Sequence, residues 1–204
     1  MHTLYSMQDS GNCYKLRLVM AQLDIPFRLV DIDILKGESR TPEFLEINPN
    51  GRVPTLVLDD GRPLPESNAA MWYLAEASPL LSDDRYARAQ ILQWMFFEQY
   101  SHEPYIAVAR FWLKVKPGGR AEKSAAEIAH WQDRGHQALA VMDTHLGAQD
   151  YFAGDRYSIA DIALYAYTHM AGDGEFDLSP YDNVRQWLDR IAAEPGHVTI
   201  DWRP

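Results

Sequence analysis

The sequence predicts an α/β amino-terminal domain followed by an all-α domain. Two observations carry this. Short apolar runs of strand character alternate with helical ones up to about residue 80, and after Ser78-Pro79 strand signals almost stop. A third is length: 204 residues are enough for two small domains. The expected boundaries are 1–78 and 83–204.

Thr3-Leu4-Tyr5-Ser6 reads as a brief strand. Cys13 to Leu23 reads as a helix, because Leu16, Val19, Met20 and Leu23 recur at i, i+3, i+4 and i+7. Phe27 to Ile32 is the second strand. Thr41 caps a short helix that Pro42 opens. Pro54 to Leu58 is the third strand, Asp59 to Pro63 a turn, and Leu64 a final short strand. Glu66 to Glu76 is helical again. The order is β-α-β-α-β-β-α. Its first strand–helix–strand unit implies parallel pairing through a right-handed crossover.

In the second half, Asp83-Asp84 suit a helix start. The helix that follows carries Ile91/Met95 and Leu92/Phe96 pairs, and Pro104 is expected to bend or interrupt it. Lys116-Pro117-Gly118-Gly119 is a loop. A second long helix aligns Ile128, Trp131, Gly135, Ala138, Met142 and Leu146. Ser158 begins a third and Pro180 a fourth. Ser158-Ile159-Ala160-Asp161 has capping-box spacing, flanked by Tyr157 and Ile162, so Asp161 reads as structural.

Charge and motifs narrow the function. Lys and Arg number 19 against 29 Asp and Glu, a net −10 without a basic patch, which disfavours nucleic acid and anionic lipid. No run approaches a membrane span, and the amino terminus lacks a secretory pattern, so a cytoplasmic protein is expected. The single cysteine, Cys13, excludes an internal disulfide. There is no G-x-G-x-x-G, P-loop, H-E-x-x-H or G-x-S-x-G, and no trustworthy histidine pair. A metal or nucleotide enzyme is not expected.

Three amino-terminal segments hold polar groups that invite chemistry. Ser10-Gly11-Asn12-Cys13-Tyr14-Lys15 lies between a strand and a helix start, where free amides stabilise an anion, including a thiolate. In Asn48-Pro49-Asn50-Gly51-Arg52-Val53-Pro54, Pro54 opens a strand and frees the Val53 backbone, and Arg52 can reach a carboxylate. In Pro65-Glu66-Ser67-Asn68, Ser67 can offer hydroxyl and amide to a carboxylate, and Glu66 can accept from an ammonium group. Each segment taken singly is an ordinary cap or turn.

Together they resemble the soluble glutathione transferase family, in its serine- and asparagine-type bacterial members. Thr41-Pro42-Glu43-Phe44-Leu45, Tyr73-Leu74-Ala75-Glu76 and the Ser158–Asp161 box match as well, so the resemblance spans essentially the whole chain. It implies a thioredoxin-like amino-terminal domain that binds glutathione and an all-α domain that contributes the electrophile pocket. By that resemblance Val53-Pro54 is a cis-proline turn whose Val53 backbone pairs with the cysteinyl part. Glu66 and Ser67 hold the γ-glutamyl end, and Arg52 with Arg40 sits near the glycyl carboxylate. The activating residue is Ser10 or Asn12. Tyr5 lies in a strand and substitutes poorly for a tyrosine-type residue, and Cys13 reads as a helix-face packing residue.

The resemblance further implies a detoxifying homodimer that takes glutathione as co-substrate and a small hydrophobic electrophile, without a metal. Tyr105, Phe111 and Trp112 are the candidate pocket residues, although each taken alone reads slightly better as helix core. Only the thiolate attacks well, and lowering a thiol pKa by about two units requires about 2.7 kcal/mol. A charge-assisted hydrogen bond of about 1.5–3 kcal/mol plus a helix terminus of about 0.3–1 kcal/mol suffices. A glutathione-dependent disulfide or peroxide reductase is the near alternative, carried by Asn12. A non-catalytic binding or regulatory module is the other, against which Arg52, Pro54, Glu66 and Ser67 are all present.

Overall fold

A computed structural model describes residues 1–154 and 156–204. The chain divides into two compact units, Met1–Ser78 with Pro195–Pro204, and Pro79–Glu194. The division differs from the sequence boundary in the last ten residues, which pack with the first unit.

The first unit is built on a sheet of order β2-β1-β3-β4, with β1 (His2–Ser6), β2 (Phe27–Asp31), β3 (Thr55–Val57) and β4 (Pro63–Pro65). β1 and β2 are parallel, as the crossover requires, while β3 runs antiparallel to β1 and to β4. Both prolines of β4 fall on an edge strand, where a missing ladder donor is tolerated. Helix α1 (Gly11–Gln22) and helix α3 (Ser67–Ala75) pack on each other. The short helix α2 (Pro42–Ile47) is capped by Thr41 Oγ1, which accepts from Phe44 N–H at 3.3 Å.

Side chains alternate across β1, so the two helical layers can be told apart. Tyr5 meets Phe44 of α2 edge-on at 5.7 Å. Ser6 points the other way and accepts from Arg17 of α1 at 2.9 Å. The sheet is thus sandwiched, and Leu4, Leu16, Val19, Met20, Leu56, Ala70 and Met71 fill its core.

The tail at 195–204 straps this unit. Tyr14 donates to Val198 C=O at 2.6 Å, Arg17 to Ile200 C=O at 3.0 Å and Arg203 to Asp31 at 2.7 Å. Trp202 lies 6.4 Å from Phe27, ring to ring. No strand or helix signal marks this segment in the sequence.

The second unit is helical: α4 (Arg85–Phe97), α5 (Glu103–Arg110), α6 (Ala125–Leu146), α7 (Ile159–Thr168) and α8 (Asp182–Ala192). Trp94, Phe152, Tyr165 and Trp187 form its aromatic centre, with Phe152–Trp187 edge-on at 5.1 Å. Pro104 does not break the chain's course as a simple interruption would. A π-helical turn, Glu98–His102, precedes it, Pro104 falls in the first turn of α5, and a second π turn, Phe111–Val115, follows. The wider turn before Pro104 re-routes the bonding around a residue that lacks an N–H. Among the described residues no helix is long and apolar enough to cross a membrane.

Both capping boxes are complete. Ser158 and Asp161 bond reciprocally at the start of α7, and Ser124 and Glu127 do so at the start of α6. The second pair has the same sequence spacing, four residues before Ile128. Asp84, at the end of its acidic pair, caps α4 by accepting from Ala87 N–H at 2.8 Å.

Candidate active site

The sheet topology brings three loops to one end of the first unit. β1 leaves that end at Ser6, the antiparallel β3 enters there at Thr55, and β4 leaves there at Pro65. Thr55 lies opposite Pro65, so Val53-Pro54 continues beside Glu66-Ser67. In open α/β sheets this end, beyond the carboxyl termini of parallel strands, is where ligands bind.

The loop before β3 is held by Asn48, which is 2% exposed. Its Nδ2 donates to Arg52 C=O at 2.9 Å and to Thr55 Oγ1 at 3.0 Å, and its Oδ1 accepts from Asn50 N–H at 3.0 Å. Val53-Pro54 is cis, and the Val53 backbone stays outside the ladder, which begins at Thr55. Arg40 donates to Asn50 C=O at 2.9 Å, so it braces the loop, whereas Arg52 is exposed. Gly51 has φ +61°, and a Cβ there would lie 2.5 Å from Arg40 Nη1 and 2.8 Å from Ser39 O. Gly51→Ala is therefore expected to destabilise by about 1–3 kcal/mol, read as a lower midpoint in thermal unfolding.

At the start of α3, Glu66 is exposed and takes φ +70°, ψ 114°, a conformation an L-residue adopts rarely. Ser67 follows it, nearly buried, and its hydroxyl donates to Asn12 Oδ1 at 3.2 Å. That bond joins the first turns of α1 and α3, two helix N-termini whose free amides and partial positive charge face one place. Below it, Lys15 Nζ donates to Asn68 Oδ1 at 3.3 Å.

Ser10 is the N-cap of α1, its Oγ accepting from Cys13 N–H at 3.3 Å. Cys13 is 0% exposed, and burial pushes its thiol above the ordinary cysteine range. This is a packed thiol without access to solvent. The structure thus gathers Ser10, Asn12, Val53, Pro54, Glu66 and Ser67 at one end of the sheet, with Arg40 bracing and Arg52 at the rim.

Tyr105, Phe111 and Trp112 belong to the second unit. Tyr105 is edge-on to His130 at 5.8 Å, with Arg134 5.6 Å above its ring. Trp112 lies between Lys116 and Lys123, at 4.3 and 4.2 Å, and edge-on to Phe111 at 5.6 Å. Of the three, Tyr105 packs on α6 through His130 and Arg134.

Sequence reasoning passed over the roles of Asn48 and of the buried cations Lys15 and Arg17. The available signal was two cations, two residues apart, inside an otherwise apolar helical run. Among the described residues no group of three or more acidic, histidine or cysteine side chains could hold a metal.

Comparison with known proteins bears on this geometry. Residues 9–77 match the glutathione S-transferase N-terminal domain and residues 90–195 the C-terminal domain. A crystal structure of a possible glutathione S-transferase from Rhodopseudomonas palustris is 53% identical with a TM-score of 0.97, covering 100% of this chain and 99% of that one. A glutathione S-transferase from Pseudomonas fluorescens is 47% identical with a TM-score of 0.92, covering 98% of each chain. The disulfide-bond oxidoreductase YfcG of Escherichia coli is 31% identical over 191 residues, 90% of this chain and 87% of its own length.

Proposed function

Because the chain belongs to the glutathione S-transferase family, we propose that its first unit grips glutathione between the cis-proline loop and the paired helix starts, and that the chain transfers the thiolate to a small hydrophobic electrophile. The Ser67–Asn12 hydrogen bond is the observation that carries this. It fixes two electropositive helix ends side by side, next to a strand entry whose Val53 backbone is free for an extended peptide. Glu66 accepts from the γ-glutamyl ammonium, the Ser67 backbone N–H at the start of α3 donates to the adjoining carboxylate, and Arg52 with Arg40 supplies positive charge for the glycyl end. Ser10 donates to the sulfur.

Ser67→Ala tests the cradle. It breaks the bond to Asn12 that holds the two helix starts together, so glutathione affinity is expected to fall about tenfold, with a smaller effect on thermal unfolding. Titration calorimetry reads the affinity, and an unchanged value would count against the assigned pocket.

Asn12 and the likeness to a disulfide-bond oxidoreductase support a second activity, glutathione-dependent disulfide reduction. An amide at Asn12 can hold a sulfur as Ser10 does, and turnover of a mixed disulfide that Asn12→Ala abolishes and Ser10→Ala spares would select it.

We further assign the protein to the cytoplasm, as a detoxifying homodimer. Leu92, Phe96 and Tyr100 recur at i, i+4 and i+8 and stand exposed, Phe96 at 69% and Tyr100 at 85%, an apolar stripe suited to a partner. Light scattering that finds only monomer would remove the dimer. Tyr105, Phe111 and Trp112 remain the residues we assign to the electrophile.

A further inference from the structure

Arg17 is fully buried, and its hydrogen-bond acceptors are all neutral. From α1 its guanidinium donates to three separate stretches of the first unit at once. Nη1 donates to Ser6 Oγ, at the end of β1, at 2.9 Å. Nη2 donates to Gln8 C=O, in the turn between β1 and α1, at 2.8 Å, and to Ile200 C=O, in the tail, at 3.0 Å. Nε is buried and meets no partner among the described residues. Keeping a cation inside without a bonded counter-charge, and with one donor unpaired, is costly. An aliphatic side chain would pack there more cheaply. What the planar fork adds is a fixed geometry between the turn and the tail.

Gln8 makes the same connection from the other side. Its Nε2 donates to Ile200 C=O and, at 3.4 Å, to Trp202 C=O, while its Oε1 accepts from Arg203 Nη1 at 3.2 Å. Arg203 also donates to Asp31 of β2 at 2.7 Å, and the Trp202 ring lies against Phe27. Ile200 C=O thus takes donors from both Gln8 and Arg17, and Gln8 is bonded through its backbone and its side chain alike. The turn that holds Gln8 ends in Ser10, whose N–H closes it on Met7 C=O at 3.1 Å. Met7 N–H goes to the Cys13 sulfur at 3.3 Å, a weak acceptor. The turn's local bonds are modest, and Arg17 and the tail add a second set.

We propose that the tail helps to set the active site: Arg17, Gln8 and the Ile200 carbonyl are positioning groups that hold the Met7–Ser10 turn, and so fix the Ser10 hydroxyl against the sulfur of bound glutathione. None of them touches the sulfur. They act through the backbone of the turn, where a small displacement is enough to lengthen a hydrogen bond made at its end. The other glutathione contacts, at Val53, Glu66 and Ser67, sit on other loops. The tail therefore bears on the thiolate and not on the grip. The inference rests on the reading of Ser10 as the group that meets the thiolate.

Two readouts test it: hydrogen exchange of the backbone amides of residues 7–13, and the pH at which thiolate absorbance appears for glutathione bound to the purified protein. A chain ending at Thr199 keeps the Tyr14 bond to Val198 and loses Ile200, Trp202 and Arg203. Its residues 7–13 are expected to exchange about tenfold faster. The pH of thiolate formation is expected to rise by about half a unit, about a threefold loss of thiolate at fixed pH. Glutathione affinity should stay within about threefold, and a larger fall would mean damage to the grip and overturn the proposal. Gln8→Ala in the full chain is expected to move both readouts in the same directions. It decides the matter alone if the shortened chain does not fold. Unchanged exchange at residues 7–13 would mean that the tail does not hold the turn, and the proposal is overturned. If exchange quickens and Ser10→Ala shifts the titration but loss of the tail bonds does not, the proposal is overturned and the Ser10 reading stands. If Ser10→Ala leaves the titration unmoved, that reading falls and the proposal with it.

Discussion

Asp161→Ala is expected to cost about 3–5 kcal/mol, the range for breaking a buried charged network. Asp161 is 0% exposed and takes four donors: Phe152 N–H at 3.1 Å and Trp187 Nε1–H at 3.0 Å on Oδ1, Ser158 N–H at 3.0 Å and Ser158 Oγ–H at 3.1 Å on Oδ2. Burial pushes its carboxyl up to about 6 while those donors pull it down. Alanine would leave four buried donors unpaired at the point where α7, α8 and the Phe152 segment meet, and unpaired buried donors are what make such changes severe. Denaturant unfolding measures this, and a loss below about 1 kcal/mol would show that the network is not a keystone. Asp161→Asn, which keeps the shape but turns an NH2 toward two of the donors, should fall between.

Ser10→Ala carries the largest expected effect on chemistry. Losing a charge-assisted hydrogen bond to the sulfur should raise the bound thiol's pKa by about 1–2 units. Conjugation at fixed neutral pH should then fall about 10–100-fold, chiefly in kcat, because the bond strengthens as charge builds on sulfur. A pH profile separates this from damage to binding: the rate of the variant should recover at high pH, where the thiolate forms unaided. A flat profile, low at all pH values, would mean that the change acts on the helix cap instead.

The alternation of strand and helix up to Ser78, the Thr41-Pro42 helix start and the Ser158 box were legible because each is a local signal, written within a few residues. So were the three loops at the sheet end, since turn and cap chemistry need particular residue types. What was not legible is long-range. Nothing near Pro104 says that a π turn will carry the helix up to it. The tail at 195–204 has no pattern of its own, and Arg17 looks like an exposed helix cation until Ile200 and Gln8 close over it. Asn48 is similar: its role depends on Arg52 and Thr55 folding back to its amide. Tyr105 and Trp112 were ambiguous for a different reason, because an aromatic ring that packs on a neighbouring helix and one that lines a ligand pocket obey the same apolar period.

The strap has a consequence for biosynthesis. A ribosome releases the chain from its amino end, so the sheet and α1 emerge before residues 79–194, and the carbonyls that close over Arg17 and Tyr14 follow that whole unit. Residues 79–194 are complete as a unit before the nascent chain can finish its earlier one. Maturation therefore runs out of sequence order: Tyr14 and Arg17 of the first unit gain these partners only after translation has delivered residue 200 and its neighbours.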